Sequence, residues 1–150
     1  MSWWKPRSHE DVVFYPGRQE VEEYVYTPGI HGKRFAEALI NGKILGMKCG
    51  DKFIVPPTTF CPDFSEGELV EVDTEWTVLY YTEVYRDLYG NPLEEPAVMI
   101  LVQPLGWEGG LIHYLKPGIK PEIGLRVRPV FKPEKERRGT IDDILYWEPY

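Results

Sequence analysis

The sequence predicts a mostly β protein that begins with short helices and ends in a small closed barrel. Gly and Pro number 14 each among 150 residues, a turn-rich composition unlike that of a helical bundle. Aromatic residues make up 14% of the chain, so there is enough apolar surface to form a folded core. After about residue 68, apolar and polar residues alternate in five short stretches, as they do in β-strands.

Residues 1–42 are predicted to form N-terminal helical segments. Val21 and Tyr24 lie three positions apart, a spacing that brings both to one face of a helix. Residues 31–41 form a further candidate helix, for which Gly42 is a suitable C-terminal stop. Helices this short need another surface to pack against, so we expect them to cover the rest of the chain or a partner.

Residues 43–66 are predicted to form a small module around two cysteines, Cys49 and Cys61. A single pair of cysteines does not predict a disulfide framework. A zinc ribbon takes its four ligands from two C-x-x-C knuckles, and Lys52 and Phe64 occupy the second knuckle positions here. Two alternatives remain. A metal-free loop module is favoured, and a bound metal that also uses Asp51 and Asp63 is the other. The residues predicted to pack the metal-free module are Phe53, Val55, Phe60 and Phe64.

Residues 67–150 are predicted to form a five-stranded OB-fold barrel, because a β-sandwich usually needs about seven strands. The predicted strands cover residues 76–85, 97–102, 111–115, 125–131 and 141–147. A loop is expected at residues 87–95. In the first strand, alternation assigns one face to Trp76, Val78, Tyr80, Thr82 and Val84.

Charge is unevenly distributed along the chain, whose net charge is −7. Residues 116–138 hold eight basic and three acidic residues, a local charge of +5, so the rest carries −12. This basic stretch is either a solvated surface or a cradle for an anion, since arginine can donate two parallel hydrogen bonds to a phosphate. The candidate ligand-binding residues are Lys116, Lys120, Arg126 and Arg128, with Trp107, His113 and Tyr114 as a candidate groove wall.

Several classes of protein are disfavoured by the sequence. No G-x-S-x-G, H-E-x-x-H, P-loop or G-x-G-x-x-G motif occurs, so we expect no enzyme activity and no catalytic residues. The longest apolar run, at 97–102, is far shorter than the roughly 20 residues that span a bilayer. No secretory signal is evident at the N-terminus. We therefore expect a soluble cytoplasmic protein without a membrane partner.

Several ordered motifs between residues 30 and 150 are shared with one prokaryotic family. They include FAEAL at 35–39, GKILGMKC at 42–49, the Pro56-Pro57 and Cys61-Pro62 pairs, WTV at 76–78, IGLRV at 123–127 and ILYWEP at 144–149. In these motifs the chain resembles the family known as domain of unknown function thirty-five (DUF35). The resemblance implies a rubredoxin-like zinc-ribbon-type module at 43–66, degenerate because two of four cysteines remain, and an OB-fold domain at 67–150.

The resemblance also implies a function. Members accompany thiolases, hydroxymethylglutaryl-CoA (HMG-CoA) synthase and related enzymes of lipid or isoprenoid precursor metabolism. The chain is then expected to be a non-catalytic acyl-CoA-binding scaffold subunit, with a CoA thioester at the barrel and an enzyme docked on the N-terminal helices and ribbon. Zinc is the one cofactor that the resemblance suggests. The alternative is a single-stranded nucleic-acid binder, which the acidic charge of the chain disfavours.

Overall fold

The computed structural model describes residues 23–87 and 89–150, which form one α-helix and nine β-strands. The prediction of a mostly β chain is confirmed. No helix in this part of the chain is long and apolar enough to cross a membrane. The elements are α1 (Gly29–Ile40), β1 (Leu45–Cys49), β2 (Lys52–Val55), β3 (Glu68–Glu71), β4 (Trp76–Arg86), β5 (Pro92–Pro104), β6 (Glu108–Gly109), β7 (Leu111–Tyr114), β8 (Arg126–Phe131) and β9 (Ile144–Pro149).

Helix α1 ends where the sequence predicts. Gly42 has φ +71°, a conformation that glycine adopts without a steric penalty, and its amide donates to the Leu39 carbonyl at 2.9 Å. Leu39 is buried in the core, so the helix is held by packing. The other predicted helix is not formed at Tyr24, which is exposed and non-helical. Val21 lies outside the described residues.

The first sheet has the strand order β3-β1-β2-β6. Strands β1 and β2 form a hairpin in which Cys49 pairs with Lys52, and β3 pairs antiparallel with β1. The two-residue strand β6 pairs parallel with β2. Strands β3 and β6 come from beyond residue 67, so this sheet draws on both sides of the predicted domain boundary. The division into 1–42, 43–66 and 67–150 stays a prediction.

The second sheet has the order β7-β5-β4-β8-β9, and all its pairings are antiparallel. Its two edges approach each other, because Leu115 and Trp147 form a parallel bridge just after β7 and within β9. The Lys116 amide extends this contact by donating to the Trp147 carbonyl at 2.8 Å. Each of the five predicted strands overlaps one strand of this sheet.

A β-bulge in β4 makes part of the predicted strand face wrong. Val78 pairs with Val102, but the next pair is Tyr80 with Leu101, so Leu79 has no partner in β5. One extra residue reverses the alternation beyond it. Trp76 and Val78 are buried as expected, while the later members of the predicted face, Tyr80, Thr82 and Val84, lie on the opposite side of the sheet.

Two predicted strand ends also differ from the structure. The loop predicted at 87–95 is shorter in the structure, because β5 already begins at Pro92, opposite Arg86. The Asp87 carboxylate tightens the turn by accepting from the Tyr89 and Asn91 amides at 2.9 and 2.8 Å. The predicted last strand begins late, since Ile141–Asp143 is a 3₁₀ helix and β9 starts at Ile144.

One hydrophobic core connects the helix and both sheets. In the second sheet, the Trp76 and Trp147 rings lie 4.9 Å apart between centroids. The connection between β5 and β7 sends Trp107 towards the first sheet, where its ring lies 5.1 Å from that of Phe53. Gly46 on β1 makes room for this ring, because a Cβ atom at position 46 would overlap it.

We predict that Gly46→Ala lowers the free energy of unfolding by about 1–3 kcal/mol, the usual cost of overpacking. The added methyl group meets the Trp107 ring and lies 2.7 Å from the Ile54 carbonyl oxygen. Urea denaturation measures the effect. In a Trp107→Leu background the same alanine should cost less, so equal costs in both backgrounds would show that the ring contact is not the cause.

Candidate functional site

Two of the predicted basic residues share one carboxylate. Arg128 donates to Glu148 Oε1 from Nη2 at 2.9 Å and from Nε at 3.3 Å, and Lys116 Nζ donates to Oε2 at 3.0 Å. These hydrogen bonds lower the pKa of Glu148, and the bond to Glu148 raises the pKa of Lys116. The three side chains form a cluster in which Glu148 already occupies the place of a bound anion.

The other two basic candidates are also close to carboxylates. Arg126 and Arg128 are both exposed with Val127 buried between them, as the alternation predicts. Arg126 Nη1 lies 3.4 Å from each carboxylate oxygen of Glu75. Lys120 Nζ lies 4.0 Å from Glu122, and both side chains are exposed. A ligand anion must therefore compete with protein carboxylates at each of these four positions.

The three residues of the predicted groove wall do not form one wall. Trp107 is buried between the sheets. His113 faces the interior of the second sheet, where it pairs with the buried Ile100. Tyr114, the next residue, faces outward and is partly exposed. Whether any of these residues, or the basic residues above, binds a ligand stays a prediction.

His113 is a buried imidazole with an unpaired nitrogen. Its Nδ1 has no hydrogen-bond partner among the described residues. Burial lowers the pKa of His113, and the backbone of Tyr114 and, after it, the negative charge of Asp142 oppose that shift only in part. The neutral form is therefore the stable one in the folded protein near pH 7.

Cys49 and Cys61 form a disulfide, with their Cα atoms 5.8 Å apart. The expectation of two separate cysteines was wrong because tertiary pairing joins the end of β1 to the loop that follows β2. Both sulfur atoms are bonded to each other, so neither is a thiolate ligand or a nucleophile in this state. Within residues 23–87 and 89–150, no three His, Cys, Asp or Glu side chains form a group that could hold a metal ion. The expectation about zinc stays a prediction.

The disulfide fixes Cys61 within the loop that follows β2, residues 56–67, which we call the knuckle loop. Phe60 and Phe64 are exposed there, although the sequence predicted that they would pack the module. Phe64 is 85% exposed and has φ +64°, an unfavourable conformation for a residue with a Cβ atom. A turn fixes this conformation, since the Phe64 amide donates to the Cys61 carbonyl at 2.8 Å. Phe53 and Val55, the other two residues predicted to pack the module, do contribute to the core.

A cleft of about 300 Å³ separates the knuckle loop from the start of α1. His31 connects its two sides, because Nδ1 donates to the Thr58 carbonyl at 2.7 Å. Beside this cleft, Ile30 is exposed along with Phe60. The cleft is lined by Ile30, His31, Thr59, Phe60, Glu66 and Gly67.

A second apolar surface, which the sequence analysis missed, covers the outside of β4, β5 and β7. Cross-strand pairing places its residues in two rows of three, because paired residues share a face. The bulge at Leu79 brings Tyr80 and Thr82 to this surface, and it is the reason that the strand alternation did not reveal it. We call it the apolar sheet face; its rows are Tyr80, Leu101 and Ile112, and Thr82, Met99 and Tyr114.

Comparisons with known proteins find several similar solved structures. A scan against protein-family models finds no match, and a search of curated proteins finds none either. A DUF35-family protein of unknown function from Sulfolobus solfataricus is 32% identical, with a TM-score of 0.59, over 68% of this chain and 78% of that one. The Ltp2-ChsH2(DUF35) aldolase is 24% identical, with a TM-score of 0.56, over 77% of this chain and 91% of that one. The second likeness concerns the fold alone.

We predict that reduction of the disulfide lowers the free energy of unfolding by about 3 kcal/mol, the chain-entropy value for a loop of this length. The bonded residues are 12 positions apart. Urea denaturation with and without a phosphine reductant measures the difference. Cys49→Ser is the control, because the reductant should not affect it. Rapid alkylation of both cysteines in unreduced native protein would contradict the assignment.

We predict that the melting temperature falls as the pH drops from 7.5 to 5.5, because of His113. The pKa of His113 is lowered in the folded state, so the unfolded chain binds the proton more readily. Stability is therefore lost as the pH falls through about 6.5, the unfolded value. Carboxylates such as Glu148 contribute only at lower pH. His113→Phe should remove this part of the pH dependence, and an unchanged slope would contradict the role of His113.

Proposed function

Because this chain belongs to the DUF35 family, we propose that it is a non-catalytic accessory subunit that docks on a thiolase-type enzyme. Membership is shown by the 32% identity to the Sulfolobus solfataricus protein, and it confirms the family resemblance of the sequence. The partner is a thiolase, an HMG-CoA synthase or an aldolase of similar chemistry. One structural neighbour supports this choice, since its name couples a DUF35 chain with an aldolase.

The observation that carries the proposal is the exposure of large aromatic side chains on a loop that the disulfide anchors at Cys61. Phe60 and Phe64 project from the knuckle loop, which the disulfide and the Cys61 turn hold in one conformation. Aromatic residues on a pre-formed surface are typical anchors of protein interfaces, because little conformational entropy is lost on binding. Ile30, at the start of α1, extends the apolar area across the cleft.

The unfavourable backbone conformation of Phe64 also supports a role in partner binding. A residue in the left-handed region costs about 1–2 kcal/mol relative to a right-handed conformation, and glycine avoids this cost. An exposed phenylalanine at φ +64° contributes no core packing to offset it. Backbone strain of this kind is found at functional positions. We assign Phe64 to partner recognition.

We further propose that the second sheet is an OB-fold barrel and that the β1–β2 hairpin with the knuckle loop is a degenerate zinc ribbon. The bridge between Leu115 and Trp147, which brings β7 beside β9, supports barrel closure. In the ribbon, Cys49 lies at the hairpin and Cys61 on the knuckle loop. The disulfide between them performs the cross-linking that a metal performs in a complete ribbon.

We propose that the chain handles acyl-CoA together with its partner and breaks no bond itself. The CoA phosphates would take the place of Glu148 beside Lys116 and Arg128, or would use the weakly paired Lys120. Since these cations already have partners, we expect weak binding of CoA to the isolated chain. The same pairing gives less support to the nucleic-acid alternative, which requires unpaired basic charge along a groove.

The test is to mix the purified chain with a thiolase, an HMG-CoA synthase and an aldolase from the same cell, each purified alone. Light scattering after size-exclusion chromatography detects a complex, and calorimetry measures its Kd. We predict that one enzyme binds and that Phe64→Gly weakens the complex at least about 30-fold, as expected for an interface anchor. The same substitution should leave the fold as stable as before, or more so, because glycine relieves the backbone.

Tyr150→Gly is the matched control, because Tyr150 is an exposed aromatic that follows β9, outside both the knuckle loop and the β4–β5 hairpin. It should bind as the unmodified chain does. Failure of all three enzymes to bind would contradict the proposed function. Undiminished binding by Phe64→Gly would contradict the role of the knuckle loop.

A further inference from the structure

We propose that the apolar sheet face is a second contact surface for the partner enzyme, and that it fits an apolar patch bordered by Lys and Arg side chains. This inference rests on the proposed function and adds a site separate from the knuckle loop. The face combines Tyr80 and Ile112, which are 66% and 64% exposed, with the half-buried Met99 and Leu101 between them. It carries no charged side chain in its two rows.

The shape of the face favours a protein partner over a small molecule. Its groove, of about 280 Å³, is lined almost wholly by apolar atoms around Tyr80, Leu101 and Ile112 and is open to solvent along its length. Small-molecule sites usually enclose most of their ligand, and a ligand in this groove would stay largely exposed to water. Contiguous exposed apolar surface of this kind is typical of protein contacts.

The surrounding charges favour a basic partner over a second copy of this chain. The β4–β5 hairpin continues beyond the face to three carboxylates and one arginine. None of these carboxylates forms an ion pair within residues 23–87 and 89–150. Two copies meeting on this face would bring like-charged chains of net charge −7 together, whereas basic side chains would complement the rim. The charged residues are Arg86, Asp87, Glu94 and Glu95.

The rim is close enough to act in the same interface. Glu95 is four residues from Met99 along β5, which is about 13 Å in an extended strand. A standard protein interface buries about 800 Å² on each partner and reaches across such a distance. The apolar face should therefore determine how long the complex lasts, and the acidic rim should determine how strongly its affinity depends on salt.

The test uses Ile112→Lys with Ile40→Lys as its control. Ile112 is 64% exposed on β7, and Ile40 is 38% exposed at the C-terminal end of α1, outside the three strands of the face. The probe is the enzyme that binds in the preceding experiment. We expect Ile112→Lys to raise the Kd at least tenfold and Ile40→Lys to leave it unchanged. Ile112→Thr, which keeps β-branching, should raise the Kd as well if the lysine variant does not fold.

Two further measurements separate the occupants of the face. Hydroxyl-radical footprinting should show that the enzyme protects Tyr80 and Met99, while Tyr150, of similar exposure to Tyr80, stays reactive. Glu94→Lys with Glu95→Lys should weaken the complex and reduce its salt dependence.

Each outcome decides the proposal. Equal Kd values for Ile112→Lys and the unmodified chain would overturn the second surface and leave the proposed function standing. A dimer of the chain alone that Ile112→Lys dissociates would assign the face to a second copy, and would also overturn the proposal. If Phe64→Gly loses binding while both isoleucine variants keep the Kd of the unmodified chain, the interface is restricted to the knuckle loop.

Discussion

The Trp107 side chain joins the two sheets, and the remaining structure depends on this contact. It leaves the second sheet between β5 and β7, packs 5.1 Å from Phe53, and lies over the part of β1 where Gly46 has no side chain. The two residues that follow it pair with β2, so backbone hydrogen bonding and apolar burial act at the same place. The first sheet has too few residues to bury a core alone, and the indole supplies the apolar surface that it lacks.

A shared core has a consequence for binding. The knuckle loop is attached to the first sheet, and the apolar sheet face belongs to the second. Because Trp107 packs the two sheets together, the two proposed contact surfaces keep a fixed relative position. A partner then meets both in a pre-formed arrangement, which lowers the entropy lost on association. The basic residues around Glu148 contribute less to partner binding, because Lys116 and Arg128 are already bound to that carboxylate. We infer that apolar contact supplies the affinity and that charge selects the partner.

The sequence predicts the local elements and misses what distant residues do to one another. Strand alternation locates each strand of the second sheet, and Gly42 marks the end of α1, because both depend on neighbours along the chain. The bulge at Leu79 depends on pairing with β5, so periodicity in β4 alone gave the wrong face for Tyr80. The disulfide joins positions that only the tertiary fold brings together. The partners of the basic residues are equally remote: Glu75 is 51 positions from Arg126. Composition therefore indicated a basic surface, whereas the structure pairs its four candidate residues, Lys116, Lys120, Arg126 and Arg128, with carboxylates.

Native-state hydrogen exchange tests the joint between the sheets most directly. If Trp107 makes one cooperative unit, the amides of β2 and β5 should exchange through openings of equal free energy, that of global unfolding. The measurement is made with the disulfide intact and over a series of denaturant concentrations. An opening of β1 and β2 that costs less than that of β5 by more than about 2 kcal/mol would contradict the account, because the first sheet would then unfold while the second stayed folded.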